Sequence, residues 1–339
     1  MMTDFVSEEI EHYYYENAKI SRSGHLDGGD SHKIFYECRG QPDKHPVVIL
    51  HGGPGYGLSD SKPRLLDPAK YQAISFDQRG CGRSTPSGGL ENNTTDDLID
   101  DIERLRQHLA IERWTVFGSS WGAFLGVLYA ARYPGHVHAL IANGIFLGRD
   151  KETENSFFPG GAISQIYPAA YERFIQQLPE AERHDPLTGY AKRILSHERE
   201  IALQFALEWN RINAIALQLI PNRDIVEAKP ENQADADHIL LNVRLAFHFY
   251  TIQDCGGNGA ALLNDIGAIL QQTGRRDPIP VHLVHGRYDL ICLPSTAYEL
   301  WQAIPHATLD MIDAAGHRTK EPGITAALRS RFDQLIVSE

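Results

Sequence analysis

No apolar run in this chain is long enough to cross a membrane. The longest nearly apolar stretch, Ala123 to Ala131, is about half the length a spanning helix needs. The opening residues, Met1 to Ile10, carry no basic segment followed by an apolar one, so no secretory signal is expected. Basic charge is also short. Acidic residues outnumber basic ones 44 to 32, for a net charge of −12. A phosphate-backbone binder needs a basic face, and adsorption to anionic lipid needs the same, so neither nucleic acid nor membrane is an expected partner. Cysteines number four, at 38, 81, 255 and 292, with no CxxC pair. They read as free thiols in a reducing, cytoplasmic compartment. The 16 histidines include no HExxH, and His136 and His138 read as surface composition, so no metal site is expected. Internal repeats and low-complexity runs are missing as well.

What is present is ordinary globular composition, 42% apolar and 22% charged over 339 residues. Length alone suggests about two domains. The first ~30 residues are polar and Tyr-rich and read as an irregular or short-strand lead-in. After them, strand and helix patterns alternate. Pro46–Leu50, Tyr71–Phe76, Trp114–Gly118 and Ala139–Asn143 read as buried strands. Thr94–Leu109 reads as a helix: Thr94 or Thr95 caps it, Asp96 and Asp97 occupy its first turn, and Leu98, Ile102, Leu105 and Leu109 make one stripe. Trp121–Arg132 reads as a second helix. From about 149 to 272 the pattern is almost wholly helical. Strand and helix then return at Val281–His285, Ser295–Ala303, Ala307–Ile312 and Ile324–Ile336. This alternation predicts an α/β fold with a mostly parallel sheet, split into core residues 1–148 and 273–339 with a helical cap at 149–272. An insertion between two strands of such a sheet lies over the strand C-terminal ends, where ligands bind.

The strongest chemical signal is Gly118-Ser119-Ser120-Trp121-Gly122, a GxSxG placed where a strand turns into a helix. That turn exposes the Oγ of Ser120 and needs small neighbours. A serine hydroxyl needs a base, and the base needs an orienting acid. In chain order these are Asp289, ending GRYD, and His317, ending AGH, both just past strand ends. Asp310 and Asp313 compete for the acid role and His285 for the base; these three read as structural or solvated. The oxyanion donors are the N–H of Trp121 and one from the loop His51-Gly52-Gly53-Pro54-Gly55. Gly53 is the candidate, and Gly52 is the alternative. Asp77 to Ser84 reads as a turn whose Arg79 and Arg83 pin loops through carboxylates. Cys81 beside them is a conceivable reactive thiol, but no partner histidine is implied.

The motifs together resemble the proline iminopeptidase family. They are HGGPG at 51–55, DQRGCGRS at 77–84, NNTT at 92–95, the SWG elbow around Ser120, GRYD ending at Asp289 and AGH ending at His317. The resemblance runs from about Gly28 to the C-terminus and includes Ile145–Leu147, Pro179–Asp185 and Glu321–Ile324. It implies an α/β-hydrolase with a helical cap, the triad Ser120, Asp289 and His317, no cofactor, and release of N-terminal proline from a short peptide or similar small substrate.

The cap departs from that family. Its members hold the substrate amine with glutamates in WxxWE and RIENHYF motifs. Here the matching positions are Asn210 and Ala246. Glu208 is a possible substitute, although it faces another side of its helix, and Ala246, Phe247, Phe249 and Tyr250 suggest a more apolar wall. The alternative is therefore an esterase, amidase or acyltransferase acting on a small substrate that lacks a free amine. A cap-domain binder without catalysis is a third reading. The oligomeric state is not legible.

Overall fold

The computed structural model describes residues 8–251, 258–271 and 278–335. A short helix α1 (Glu8–Glu11) precedes a hairpin of β1 (Ile20–Gly29) and β2 (His32–Arg39). Then come β3 (His45–Leu50), β4 (Tyr71–Phe76), α2 (Thr95–His108), β5 (Trp114–Ser119), α3 (Trp121–Arg132) and β6 (Val137–Asn143). The helical interval holds α4 (Asp150–Phe157), α5 (Ala162–Ile166), α6 (Pro168–Gln176), α7 (Pro186–Ile194), α8 (Arg199–Ala216), α9 (Arg223–Val226), α10 (Gln233–Thr251) and α11 (Asn258–Gln271). The chain closes with β7 (Val281–Gly286), α12 (Pro294–Ala303), β8 (Thr308–Ile312) and α13 (Pro322–Gln334).

The eight strands form one sheet in the order β1-β2-β4-β3-β5-β6-β7-β8. β2 pairs antiparallel with both β1 and β4, and every other pairing is parallel. Parallel strands buried on both faces read as continuous apolar runs, as Val47–Leu50 and Val116–Phe117 do. Of the two expectations for the lead-in, irregular or short-strand, the structure has a strand, and a longer one of ten residues. β1 is a sheet-edge strand whose first four residues are exposed, and Leu26 is its one large buried side chain. An edge strand this polar carries almost no alternation for the sequence to show.

Helix α2 forms as its capping residues dictate. Thr94 Oγ1 accepts from the Asp97 N–H at 3.3 Å, and the Asp97 carboxylate accepts from the Thr94 N–H at 2.9 Å. This reciprocal box satisfies two donors that the helix leaves orphaned. Leu98, Ile102 and Leu105 are fully buried along one stripe.

One face of the sheet is covered by α2, α3, α11 and α12, and the other by α1 and α13. The helices between β6 and β7 hold a separate cluster around Phe174, Tyr190, Trp209 and Phe247. Helix α11, assigned by composition to the insertion, packs instead on α3 and α12, with Leu262, Ile266 and Leu270 in the sheet-side cluster. Among the described residues, no helix is long and apolar enough to cross a membrane. Cys38, Cys81 and Cys292 are buried and free; Cys255 lies outside the described residues.

Candidate active site

Because the central strands are parallel, their C-terminal ends share one edge, and each strand end delivers a different piece of chemistry there. β3 runs into His51–Gly55, β5 into Ser120, β7 into Asp289 and β8 into His317.

Ser120 sits between β5 and α3 at φ 57° and ψ −122°, a sparsely populated region for a residue with a Cβ. The surroundings hold it there. A Cβ on Gly118 would lie 2.1 Å from the Gly122 carbonyl oxygen, and one on Gly122 would lie 2.2 Å from that of Leu50. Only glycine at both positions lets strand, elbow and helix approach so closely. The Ser120 N–H donates to the Asn143 carbonyl at 2.9 Å, and the Ser119 hydroxyl donates to the Asn143 side chain.

His317 Nδ1 lies 2.7 Å from Asp289 Oδ2. The other carboxylate oxygen, Oδ1, accepts from the N–H groups of Ile291 at 3.0 Å and Cys292 at 2.8 Å. Burial alone would raise the Asp289 carboxyl, but the charge and hydrogen bond of His317, with the Cys292 N–H, hold it below the ordinary range. Two of the rival residues are engaged elsewhere, and the third, His285, has its Nε2 3.5 Å from Asp289 Oδ2 but is hydrogen-bonded to main-chain groups. Asp310 pairs with Arg331 of α13, and Asp313 pairs with Arg287 at the surface. His285 Nδ1 accepts from the Ile145 N–H at 3.0 Å, so its proton is on Nε2, which donates to the Cys292 carbonyl at 2.7 Å. Burial keeps that imidazole neutral by lowering its pKa.

Cys292, which the sequence does not mark, lies against this group. Its Sγ lies within 4.8 Å of the nearest Asp289 and His317 donor atoms, and burial pushes its pKa well above the ordinary value. Among the described residues, Asp289, Cys292 and His317 are the one cluster close enough to share a metal ion. Their donor set does not fit one. Both Asp289 oxygens are taken by N–H groups, and the thiol is held protonated where a ligand would have to be thiolate.

The motif at 77–84 acts as a pin. Arg79, 1% exposed, bonds both Asp101 oxygens at 2.7 and 3.0 Å and the carbonyls of Gly28 and Asn92. Asp77 accepts from the N–H groups of Leu58 at 2.7 Å and Arg83 at 3.0 Å. Cys81 is buried, and its thiol is raised, the opposite of an activated cysteine.

A cavity of about 260 Å³ opens over Ser120. Its wall includes Gly52, Gly53, Ser120, Ala246 and His317; the Trp121 N–H follows the serine directly, and Asp289 lies behind the histidine. Glu208, Asn210 and Phe247 are not on the wall. On α8 and its C-terminal cap the wall residues are Trp209, Asn213 and Leu217, one helical stripe, and at 100° per residue Glu208 and Asn210 point to either side of it. Glu208 is buried and bonds Arg173 at 3.1 Å and Arg211 at 3.2 Å. Phe247 packs edge-on against Trp209 inside the helical cluster. Tyr56, Lys62, Asn143, Asn213, Asn242 and Arg318 also line the cavity and are missed by motif reading. The spacing of four between 209, 213 and 217 was visible in the sequence, but which stripe meets the cavity was not.

Residues 45–321 match the family described as alpha/beta hydrolase fold. The chain is 40% identical over 307 residues to a proline iminopeptidase of Arabidopsis thaliana, covering 90% of this chain and 77% of that one. It is 39% identical over 307 residues to that of Xylella fastidiosa, covering 91% and 94%. Among solved structures, a hydrolase from Pseudomonas aeruginosa superposes with a TM-score of 0.59 at 17% identity, covering 94% of this chain and all of that one. An esterase from Exiguobacterium antarcticum does so with a TM-score of 0.55 at 18% identity, covering 92% and 100%. At these identities the structural likeness speaks for the fold alone.

Proposed function

The chain belongs to the proline iminopeptidases, serine hydrolases of the α/β-hydrolase fold, and on that basis we propose that Ser120, His317 and Asp289 act as its nucleophile, base and acid. Ser120 Oγ attacks the substrate carbonyl while His317 takes its proton. The His317–Asp289 bond fixes the ring with Nδ1 protonated, so that Nε2 is the basic nitrogen. The N–H groups of Gly53 and Trp121 receive the oxyanion. His317 then returns the proton to the departing amine or alcohol, leaving an acyl-Ser120 that water opens by the same route in reverse. The observation that carries this reading is the 2.7 Å His317–Asp289 bond with Ser120 and His317 on one cavity wall.

The substrate is a peptide or small amide with N-terminal proline, the activity named for the relatives. The test is labelling by a fluorophosphonate probe together with turnover of prolyl-arylamide. Wild type labels and turns over, and Ser120→Ala does neither. Turnover at the wild-type rate by Ser120→Ala would end the assignment.

One observation favours a second reading, an amide or ester without a free amine. Among the described residues, the cavity wall holds no aspartate or glutamate to face a substrate ammonium, and Ala246 stands where the family's second glutamate is expected. A panel of prolyl, N-acyl-prolyl and simple ester substrates separates the two by kcat/KM. We read the chain as a discontinuous core with an inserted helical cap, the cap beginning near 149. The packing of α11 favours an end at the close of α10 rather than at 272. A cytoplasmic location suits a chain whose described cysteines are buried free thiols.

A further inference from the structure

Gln78 follows β4, is 2% exposed, and takes no place on the cavity wall, yet all its hydrogen-bonding side-chain groups point at the catalytic loops. Its main-chain N–H donates to His51 Nε2 at 3.1 Å. Its side-chain Nε2–H donates to the His51 carbonyl at 3.0 Å. Its Oε1 accepts from the indole Nε1–H of Trp121 at 3.0 Å.

These bonds fix a tautomer. A main-chain N–H can only donate, so His51 Nε2 must accept and the ring proton must sit on Nδ1. Nδ1 is 2.8 Å from the Gly52 carbonyl oxygen, to which it therefore donates. Burial keeps this imidazole neutral, with its pKa lowered to about 4. The Gly52 carbonyl and the Gly53 N–H belong to one planar trans peptide and point in opposite directions. Anchoring the carbonyl to the His51 ring thus sets the direction of the Gly53 N–H. The second donor, the Trp121 N–H, belongs to the residue whose indole Gln78 holds.

We propose that Gln78 is a positioning residue for the oxyanion hole: one buried amide ties the loop bearing the Gly53 N–H to the elbow bearing the Trp121 N–H and so sets their separation and direction. This rests on the assignment of those two donors. Gln78 touches no substrate and acts through His51 and Trp121. The Trp121 indole also packs against Phe124, Phe146 and Phe249, so removing the amide loosens the donors without emptying the site. Donor placement matters to a developing oxyanion far more than to a ground-state carbonyl.

The test uses Gln78→Met, Gln78→Glu and Trp121→Phe in the full chain. Gln78→Met is expected to lower kcat on a p-nitrophenyl ester by about 10–100-fold, with KM within about twofold. The Ki of a boronic acid transition-state analogue should rise by a similar factor while the Ki of the product acid stays put, which a merely structural defect would not arrange. Trp121→Phe removes the indole donor together with part of the buried ring, and its loss of the same kind should be non-additive with Gln78→Met. If Gln78→Met does not fold, Gln78→Glu keeps the acceptor for Trp121 and replaces only the donor to His51; its kcat should fall too. Unchanged kcat in folded Gln78→Met or Gln78→Glu, or a loss carried by KM alone, overturns the proposal. Fluorophosphonate labelling of the wild type separates the failures. A labelled wild type with an unimpaired Gln78 variant removes only this role, and an unlabelled wild type removes it together with the hydrolase mechanism beneath it.

Discussion

Asp289→Asn exchanges one carboxylate oxygen for an NH2 group, and the structure dictates which one. Oδ1 holds two main-chain N–H groups, those of Ile291 and Cys292, while Oδ2 holds one hydrogen bond, from the Nδ1–H of His317, with His285 Nε2 at 3.5 Å donating instead to the Cys292 carbonyl. Turning the NH2 toward the two N–H groups would set donor against donor twice, at a cost of about 1–3 kcal/mol for each buried group left unsatisfied. The amide oxygen therefore stays at Oδ1 and the NH2 faces His317. Nδ1 must then accept, the ring proton moves to Nε2, and Nε2 has no lone pair left to take the Ser120 proton. With the three residues in their proposed roles, kcat on an ester or prolyl-arylamide should fall about 10⁴-fold. At 1.36 kcal/mol per decade that is about 5.5 kcal/mol of barrier. Asp289→Ala should be comparably inactive but also less stable than Asp289→Asn by about 2–6 kcal/mol, because it strands both N–H groups. Steady-state kinetics with urea unfolding of both variants reads all of this. An Asp289→Asn enzyme keeping more than about a tenth of wild-type kcat would refute the tautomer argument. Equal stability of the two variants would refute the orientation argument.

Two further outcomes follow from buried groups. Glu208→Gln should leave kcat and KM on every active substrate within about twofold, since Glu208 is off the cavity wall, while unfolding free energy drops by about 1–3 kcal/mol as Arg173 and Arg211 lose their shared carboxylate; abolished prolyl-arylamide turnover would show that Glu208 binds the amine. The His51 imidazole, lowered by burial from 6.5 to about 4, binds fewer protons folded than unfolded between those values. Its contribution to stability is thus complete above 6.5 and is lost as pH falls toward 4; going from pH 7 to 5 should cost about 2 kcal/mol of unfolding free energy from this ring alone. His285, lowered in the same direction, adds to the loss. A flat urea midpoint across that range would mean that His51 is not buried neutral.

The legible parts of this protein are those whose causes are local in the chain. A capping box needs only Thr94 and Asp97 three residues apart. The elbow needs only glycines on both sides of a serine where a strand meets a helix. Asp289 and His317 could be picked out because each closes a motif just past a strand. Their rivals Asp310 and Asp313 could not be excluded by sequence alone, because their partners Arg331 and Arg287 lie 21 and 26 residues away. β1 was legible only as a choice between irregular chain and short strand, for a different reason: a sheet edge buries so little that no alternation is imposed on it.

The sequence by itself determined the alternation of strands and helices and the residues that each strand end presents, because hydrophobic period and turn chemistry act over a few positions. Only the tertiary structure decided which stripe of α8 faces the cavity and that α11 covers the sheet rather than the site. It also decided that Glu208 is consumed by two arginines, that Cys292 lies beside Asp289 and His317, and that Gln78 spans His51 and Trp121. A helix pattern states that a face will be buried but not against what. That answer depends on partners distant in the chain.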